Sequence, residues 1–205
     1  MLKGLGLSVP DIKKVGKANA DQDDGAIGLR PRPPFSDPLN HGDNNKIKET
    51  IQRIEDLYAG LRGLKTRDEI LKQFGKILHA IQDLYAHTNY VEIMDAKRGG
   101  NSVAGDIPLW PFVDGEGKPY VPDDVISGEY KWPNDDADSP SHKDLNKDDK
   151  DSKAGKVPYG PGTTGFDLAK DLAERATKEA MDRFRESLTD GQKEMFPGLD
   201  DPAAK

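Results

Sequence analysis

Apolar residues recur at helical spacing in three segments of this chain, residues 44–61, 66–94 and 165–188. The second segment opens with a capping box from Thr66 to Glu69, and a similar pattern at Thr189 predicts a short helix after the third segment. Residues 97–164 are rich in Pro, Gly and Asp and show no such period. The sequence therefore predicts an all-α fold with a core of three main helices, wrapped by long irregular loops that converge on one face.

Composition narrows the classes of function that the chain can have. It has no cysteine, which excludes disulfides, thiolate metal sites and cysteine nucleophiles. The formal net charge is −7, and the Lys and Arg residues are interleaved with acids along the chain. Binding to a polyanion through charge requires clustered cations, so nucleic acid is not an expected partner.

Residues 1–40 are predicted to form a flexible N-terminal arm, and residues 41–205 a helical metal-binding domain. Gly4, Gly6 and Pro10 argue against a stable helix near the start of the chain. The alternative is a short segment that inserts at a membrane interface. Its expected membrane contacts are Leu2, Leu5, Leu7 and Val9.

No apolar run approaches the roughly 20 residues that span a bilayer. The first residues also lack the long apolar region of a secretory signal peptide. We therefore expect the chain to stay in the cytoplasm of the cell that makes it, or to reach target membranes by a route without a signal peptide.

The second helix carries three potential metal ligands, His79, Asp83 and His87, spaced four residues apart. Helical geometry places them in one stripe, nearly opposite the apolar face of the same helix. The two histidines lie about 12 Å apart along the helix axis, which is too far for them to share one ion. The spacing instead predicts two divalent ions bridged by Asp83, one bound by His79 and the other by His87.

The covering ligands must come from other segments, and the two remaining histidines of the chain are the candidates. His41 lies in the triplet His41-Gly42-Asp43, where Asp43 could bind metal or, like Asn44, serve as the N-cap of the first helix. His142 lies in the acidic part of the long loop. We predict His41, Asp43 and His142 as further ligands and zinc as the metal, with magnesium, manganese or calcium as alternatives.

The calcium alternative comes from alternating oxygen ligands after His142, at Asp144, Asn146 and Asp148. This spacing is typical of a calcium-binding loop. Asp149, however, stands where such a loop needs a glycine for its sharp turn. A loop pinned by His142 onto the stripe of the second helix explains the acidic stretch better.

The residues from Phe74 to Glu92 resemble the signature of the Het-C family, which reads roughly G-x-x-L-H-x-x-x-D-x-x-A-H-[ST]-N-[YW]-x-E. The His41-Gly42-Asp43 triplet resembles an H-G-D motif that precedes it in the same family. Het-C proteins include fungal incompatibility factors that trigger cell death, together with bacterial relatives. The family is in turn similar to zinc-dependent phospholipases C, so the resemblance implies a phospholipase C-like helical core.

This resemblance also implies roles for individual residues. His41, Asp43, His79, Asp83 and His87 would be metal ligands, whereas His142 is a prediction from the composition of its loop alone. Asn89 and Glu92 would orient the imidazoles from outside the ligand set.

Two functions from different classes follow from the resemblance. The first is a cytotoxin that kills cells by damaging phospholipid membranes without efficient lipid hydrolysis, through its apolar N-terminal segment and assembly into homo-oligomers. It is favoured because the chain is shorter and less apolar than the phospholipases and lacks their N-terminal tryptophan ligand. The alternative is a metal-dependent, phospholipase C-like phosphodiester hydrolase in which Asp83 and Asp43 orient the nucleophile. A metal-stabilised binding domain without toxicity is a third possibility.

Overall fold

Helices dominate the part of the chain that the computed structural model describes, which comprises residues 4–23, 37–129 and 140–199. Within these ranges the α-helices are α1 (Val9–Ala20), α2 (Pro38–His41), α3 (Ile47–Gly60), α4 (Arg67–Ala86), α5 (Tyr90–Lys97), α6 (His142–Leu145), α7 (Gly165–Ser187) and α8 (Asp190–Lys193). A 3-10 turn, Leu61–Gly63, extends α3. Extended backbone in these ranges pairs only at isolated bridges, so the predicted all-α class is confirmed.

The core lies between α3, α4 and α7, the three helices that apolar spacing predicted. Phe74 of α4 and Phe184 of α7 are fully buried, and their rings stack with centroids 4.2 Å apart. Ile51 and Ile54 of α3 pack into the same cluster, also without exposed surface. Side chains of this size are each worth about 1.5–3 kcal/mol when buried, so this face holds α4 in place. None of the helices in the described ranges is both long and apolar enough to cross a membrane.

The helix predicted over residues 66–94 is interrupted after Ala86. The last turn of α4 closes with the His87 N–H donating to the Asp83 carbonyl at 2.7 Å. The Thr88 hydroxyl then donates to the Leu84 carbonyl at 2.6 Å, and the Asn89 N–H donates to Ile126 of a neighbouring loop. The helix therefore ends at Ala86, because Thr88 and Asn89 make these hydrogen bonds instead of continuing the helical pattern. A new helix, α5, begins at Tyr90.

Residues 9–20 form a helix, so the expectation of irregular backbone in this part of the arm was wrong. Ser8 and Asp11 make a capping box at the start of α1, with Pro10 in the first turn where proline is tolerated. The helix packs along α4, and both oxygens of Asp11 accept hydrogen bonds from Arg67. The described part of residues 1–40 thus shares the core of the remaining chain.

The segment before α1 is also fastened to the core. The Leu5 carbonyl accepts a hydrogen bond from Arg185 of α7 at 2.6 Å, and Leu7 is 8% exposed. Val9 is 65% exposed, and Leu2 lies outside the described residues. Of the residues expected to contact a membrane, Leu5 and Leu7 contact the core in this structure, and Val9 faces solvent.

Gly75 is the point of closest approach between α4 and α1. A Cβ atom at this position would lie 2.6 Å from the Val15 carbonyl oxygen and 2.7 Å from the Ala18 Cβ. We predict that Gly75→Ala destabilises the protein by about 1–3 kcal/mol, because a helix backbone cannot yield as a side chain can. Urea denaturation followed by circular dichroism measures this change.

Gly16 of α1 offers the matched control for that substitution. It is exposed, and an added Cβ would meet nothing within 4 Å. Gly16→Ala is therefore expected to stabilise the protein by roughly 0.5–1 kcal/mol through helix propensity alone. A Gly75→Ala variant as stable as wild type would contradict the close packing of α1 on α4.

Candidate metal centre

The predicted stripe of α4 is buried rather than exposed. His79, Asp83 and His87 retain only 3%, 9% and 5% of their surface. Segments from α1, α2 and the loop after α6 cover them. A helix can bury three such groups only when other polar or charged atoms satisfy them. The groups that surround the stripe therefore determine its chemistry.

The first cluster consists of Asp23, His41 and His79, contributed by the end of α1, by α2 and by α4. The His79 Nε2 atom lies 3.0 Å from His41 Nδ1 and 3.7 Å from Asp23 Oδ1. Donor atoms arranged around a zinc ion at about 2.0–2.2 Å are roughly 3.3–3.6 Å apart. The three side chains thus have the spacing of a ligand set.

The second cluster consists of Asp43, His87 and His142. Asp43 has no exposed surface, and its Oδ1 atom lies 3.0 Å from His142 Nδ1 and 3.9 Å from His87 Nδ1. His142 opens α6, whose N-cap Ser141 forms a capping box with Asp144. The structure therefore brings the loop histidine onto the helix stripe, where sequence analysis expected it.

Asp83 lies between the two clusters. Its Oδ2 atom is 2.7 Å from His41 Nδ1 and 3.1 Å from His79 Nε2 in the first cluster. The same oxygen is 3.9 Å from His87 Nδ1 in the second. One carboxylate consequently faces both groups, which is the bridging position that helical spacing predicts for it.

Gly42 explains how adjacent residues reach different clusters. Its φ of +71° places it in the left-handed region that ends α2, and a Cβ there would lie 2.7 Å from a Leu84 methyl. The turn at Gly42 directs His41 toward the first cluster and Asp43 toward the second. Because Asp43 is buried in this way, it does not cap α3, whose N-cap is Lys46.

Several polar atoms in the clusters lack a hydrogen-bond partner within the described residues. They are His41 Nε2, Asp43 Oδ2 and His87 Nδ1, and each is buried. An unsatisfied polar atom of this kind costs about 1–3 kcal/mol. All three are nitrogen or carboxylate oxygen atoms, the types of atom that coordinate a zinc ion.

The buried carboxylates of the site also favour a positive charge beside them. Burial opposes ionisation of Asp83, but attraction to His79 and His87 and the hydrogen bond from His41 hold its pKa well below the usual range. Burial opposes the charged form of His87 as well, yet Asp83, Asp148 and Asp43 raise its pKa to about 9. These carboxylates therefore keep a proton on the imidazole unless another cation takes its place.

Two acidic residues of the site were not named among the predicted ligands. Asp23 joins the first cluster, and Asp148 lies with its Oδ2 atom 3.3 Å from His87 Nε2. Asp148 had a signal in the sequence, since it belongs to the acidic stretch after His142. Asp23 had none, because only the packing of α1 on α4 brings it near His79.

The oxygens considered as a calcium loop have other partners. Asp144 caps α6 and pairs with Lys153, and the Asn146 side chain accepts the Asp148 N–H at 2.8 Å. Asp149 accepts the N–H of Asp151 at the same distance. These contacts form local turns in the loop.

Asn89 and Glu92 hold loops in place. The Asn89 side chain accepts the Ile126 N–H at 2.8 Å and donates to the Asp124 carbonyl at 3.1 Å. Glu92 pairs with the buried ammonium group of Lys147 at 3.1 Å. The resemblance implied that both would orient imidazoles, and the structure gives them contacts with loop atoms instead.

A cleft of about 380 Å³ opens beside the first cluster. Asp23, His79, Asp83 and Asp148 form its acidic side. The opposite wall belongs to α7 and combines small or aromatic residues with one cation, namely Phe166, Ala169, Lys170 and Ala173. The cleft therefore gives the first cluster an opening lined by both charged and apolar residues.

Comparisons of the chain with protein-family models, curated protein sequences and solved structures give no match. The resemblance to the Het-C family consequently stays a prediction. It rests on the residues at 41–43 and 74–92.

Proposed function

We propose that this chain binds two divalent metal ions and is a metal-dependent phosphodiester hydrolase. The observation that carries the proposal is the position of Asp83, whose Oδ2 atom faces His41 and His79 on one side and His87 on the other. Asp23, His41 and His79 would hold one ion, and Asp43, His87 and His142 the other. When bound, such ions supply an activated water and neutralise the charge of a phosphate.

Zinc is the metal that these donors suit best. Imidazole nitrogen and carboxylate oxygen together favour zinc over magnesium or calcium, which prefer oxygen alone. Manganese shares enough of this preference to serve as a second choice. The chain's own acids would complete the machinery, with Asp83 and Asp43 orienting the attacking water.

Membrane phospholipids are the proposed substrates, and a Het-C-type, phospholipase C-like core is the proposed architecture. Support for the architecture comes from the way the His41-Gly42-Asp43 triplet and the stripe of α4 converge. Support for a phosphate ester comes from the cleft, which joins acidic metal-ligand candidates to Lys170 and an apolar wall. A headgroup phosphate would enter this cleft while the remainder of the lipid stays outside.

Membrane damage without hydrolysis is the second candidate function. Val9 is 65% exposed, and Lys13, one turn further along α1, is also exposed, so α1 offers an apolar residue beside a cation to a lipid surface. Leu5 and Leu7, however, contact the core. A toxin that inserts this segment, as a monomer or a homo-oligomer, would have to release it first.

Liposomes that contain a trapped dye distinguish the two functions. We predict release of phosphorylated headgroup in the presence of zinc or manganese, and none in the presence of a chelator. His79→Ala is expected to lower the rate at least about 100-fold, because a ligand matters at least as much as the groups that orient it. Lys143→Met, a change in an exposed residue of α6, serves as the control.

Each possible result supports or refutes one of the two functions. Intact lipid after incubation with zinc, manganese or magnesium would refute the hydrolase. Dye leakage without lipid cleavage would support the toxin, and leakage that persists after deletion of residues 1–15 would refute the role of the N-terminal segment. Expression in a susceptible cell, with lipids assayed from the same culture, links either activity to cell death.

A further inference from the structure

Lys147 is a lysine with no exposed surface, immediately before Asp148 of the candidate site. Lysine is rarely buried to this extent because its ammonium group is strongly hydrated. The structure compensates with three acceptors. Lys147 Nζ donates to the Thr88 carbonyl at 2.7 Å, to the Leu145 carbonyl at 2.8 Å and to Glu92 Oε1 at 3.1 Å.

These contacts join the end of α4 to the loop after α6. The Lys147 backbone N–H also donates to the Ala86 carbonyl at 3.0 Å, so Lys147 contacts the residues on both sides of His87. On the loop side, its neighbours are Leu145 and Asp148. Lys147 therefore joins the loop to the residues beside His87 through both its side chain and its backbone N–H.

That loop contributes only to one side of the centre. His142 belongs to the second cluster, and Asp148 contacts His87 of the same cluster. The first cluster takes its residues from the end of α1, from α2 and from α4, and none from the loop. Displacement of the loop would therefore affect the second cluster and leave the first in place.

We propose that Lys147 is a positioning residue that holds the 142–148 loop against the end of α4 and thereby completes the second cluster. The inference rests on the proposed function, since it assigns this cluster a metal ion. It makes Glu92 the counter-charge that keeps the ammonium group in place, and it gives the acidic stretch of the long loop a defined role. Loss of Lys147 would selectively lower the affinity for the ion of the second cluster.

Zinc titration of the full chain, followed by calorimetry and native mass spectrometry, tests the proposal. Wild type is expected to bind two ions, and Lys147→Met one, with affinity for the second reduced about 100-fold or more. Lys143→Met changes an exposed lysine of the same loop and is expected to bind two ions normally. His142→Ala identifies which binding step belongs to the second cluster.

Glu92→Gln keeps an acceptor but removes the counter-charge, and it carries the test if Lys147→Met does not fold. This variant is expected to lower the affinity for the second ion roughly tenfold and to leave the affinity for the first ion unchanged. A purely structural role for Lys147 would lower the melting temperature without separating the two affinities. Two results would overturn the proposal. One is an equal loss of affinity for both ions in these variants, and the other is a folded Lys147→Met protein that binds two ions like wild type.

The same titration distinguishes this inference from the proposed function. Wild type that binds two ions but cleaves no phosphodiester would refute the hydrolase, while the selective loss in Lys147→Met would still support the positioning role. Wild type that binds no zinc or manganese would overturn both.

Discussion

Replacement of Asp83 by asparagine is expected to abolish binding of both metal ions at micromolar concentrations. The Asp83 carboxylate is the group shared by the two clusters, with Oδ2 near His41, His79 and His87. Asparagine preserves the size of the side chain and removes its charge. Loss of one partner of a buried charge pair costs about 3–5 kcal/mol, which corresponds to a loss of affinity of roughly 10²- to 4,000-fold.

One single-cluster variant and one control variant make this result interpretable. Asp23→Asn is expected to lower the affinity for one ion only, because Asp23 belongs to the first cluster. Asp21→Asn alters an acid at the same end of α1 that pairs with Lys17, and it should leave both ions bound. Native mass spectrometry gives the number of ions per chain. An Asp83→Asn protein that retains two ions with less than a tenfold loss of affinity would refute the bridging role.

Removal of the metal ions is expected to produce the largest loss of stability. A ligand that binds the native state alone adds about 4 kcal/mol when its concentration is 1,000 times its Kd, so two ions would add roughly 8 kcal/mol. For a chain of this size, 1 kcal/mol shifts Tm by about 2–4 °C, which predicts a fall of roughly 15–30 °C after chelation. The cause is the set of buried carboxylates and imidazoles, which would face one another without the ions.

Differential scanning calorimetry with and without a chelator measures this fall. Asp83→Asn provides the internal control, since a protein that cannot hold the ions should melt at the same temperature under both conditions. Readdition of zinc should restore the wild-type Tm. If the chelator leaves the wild-type Tm unchanged, the clusters are not occupied by metal in solution, and the proposed function fails with them.

The main helices and the ligand stripe of α4 could be predicted because they depend on interactions between residues close together in the sequence. Apolar periodicity identified α3, α4 and α7, and the capping boxes at Thr66 and Thr189 marked the helix starts correctly. Helical spacing alone also placed His79, Asp83 and His87 on one face and put Asp83 between the histidines. These inferences succeed because the rise and turn of a helix fix which side chains share a face.

Errors arose wherever distant segments compete for the same groups. The helix predicted to continue to residue 94 ends at Ala86, because the Thr88 hydroxyl binds the Leu84 carbonyl and the Asn89 N–H binds Ile126 of a neighbouring loop. The glycines and proline near the start suggested irregular backbone, yet α1 forms because Ser8 caps it and α4 packs against it. The Ile126 partner of Asn89 and the packing of α4 on α1 are distant in sequence, whereas the capping box of Ser8 and Asp11 is a local signal that the glycines and the proline outweighed.

Local spacing was enough to predict that the three main helices would form and that one of them would carry a stripe of potential metal ligands. What covers that stripe depends on packing between distant segments. Asp23 lies near His79 because α1 packs on α4, where Gly75 leaves room for it. Lys147 donates to the Thr88 carbonyl and the neighbouring Asp148 contacts His87, although the two segments are far apart in the chain. The physical reason is that helix geometry acts over a few residues, whereas a buried centre with four imidazoles and several carboxylates is assembled by packing.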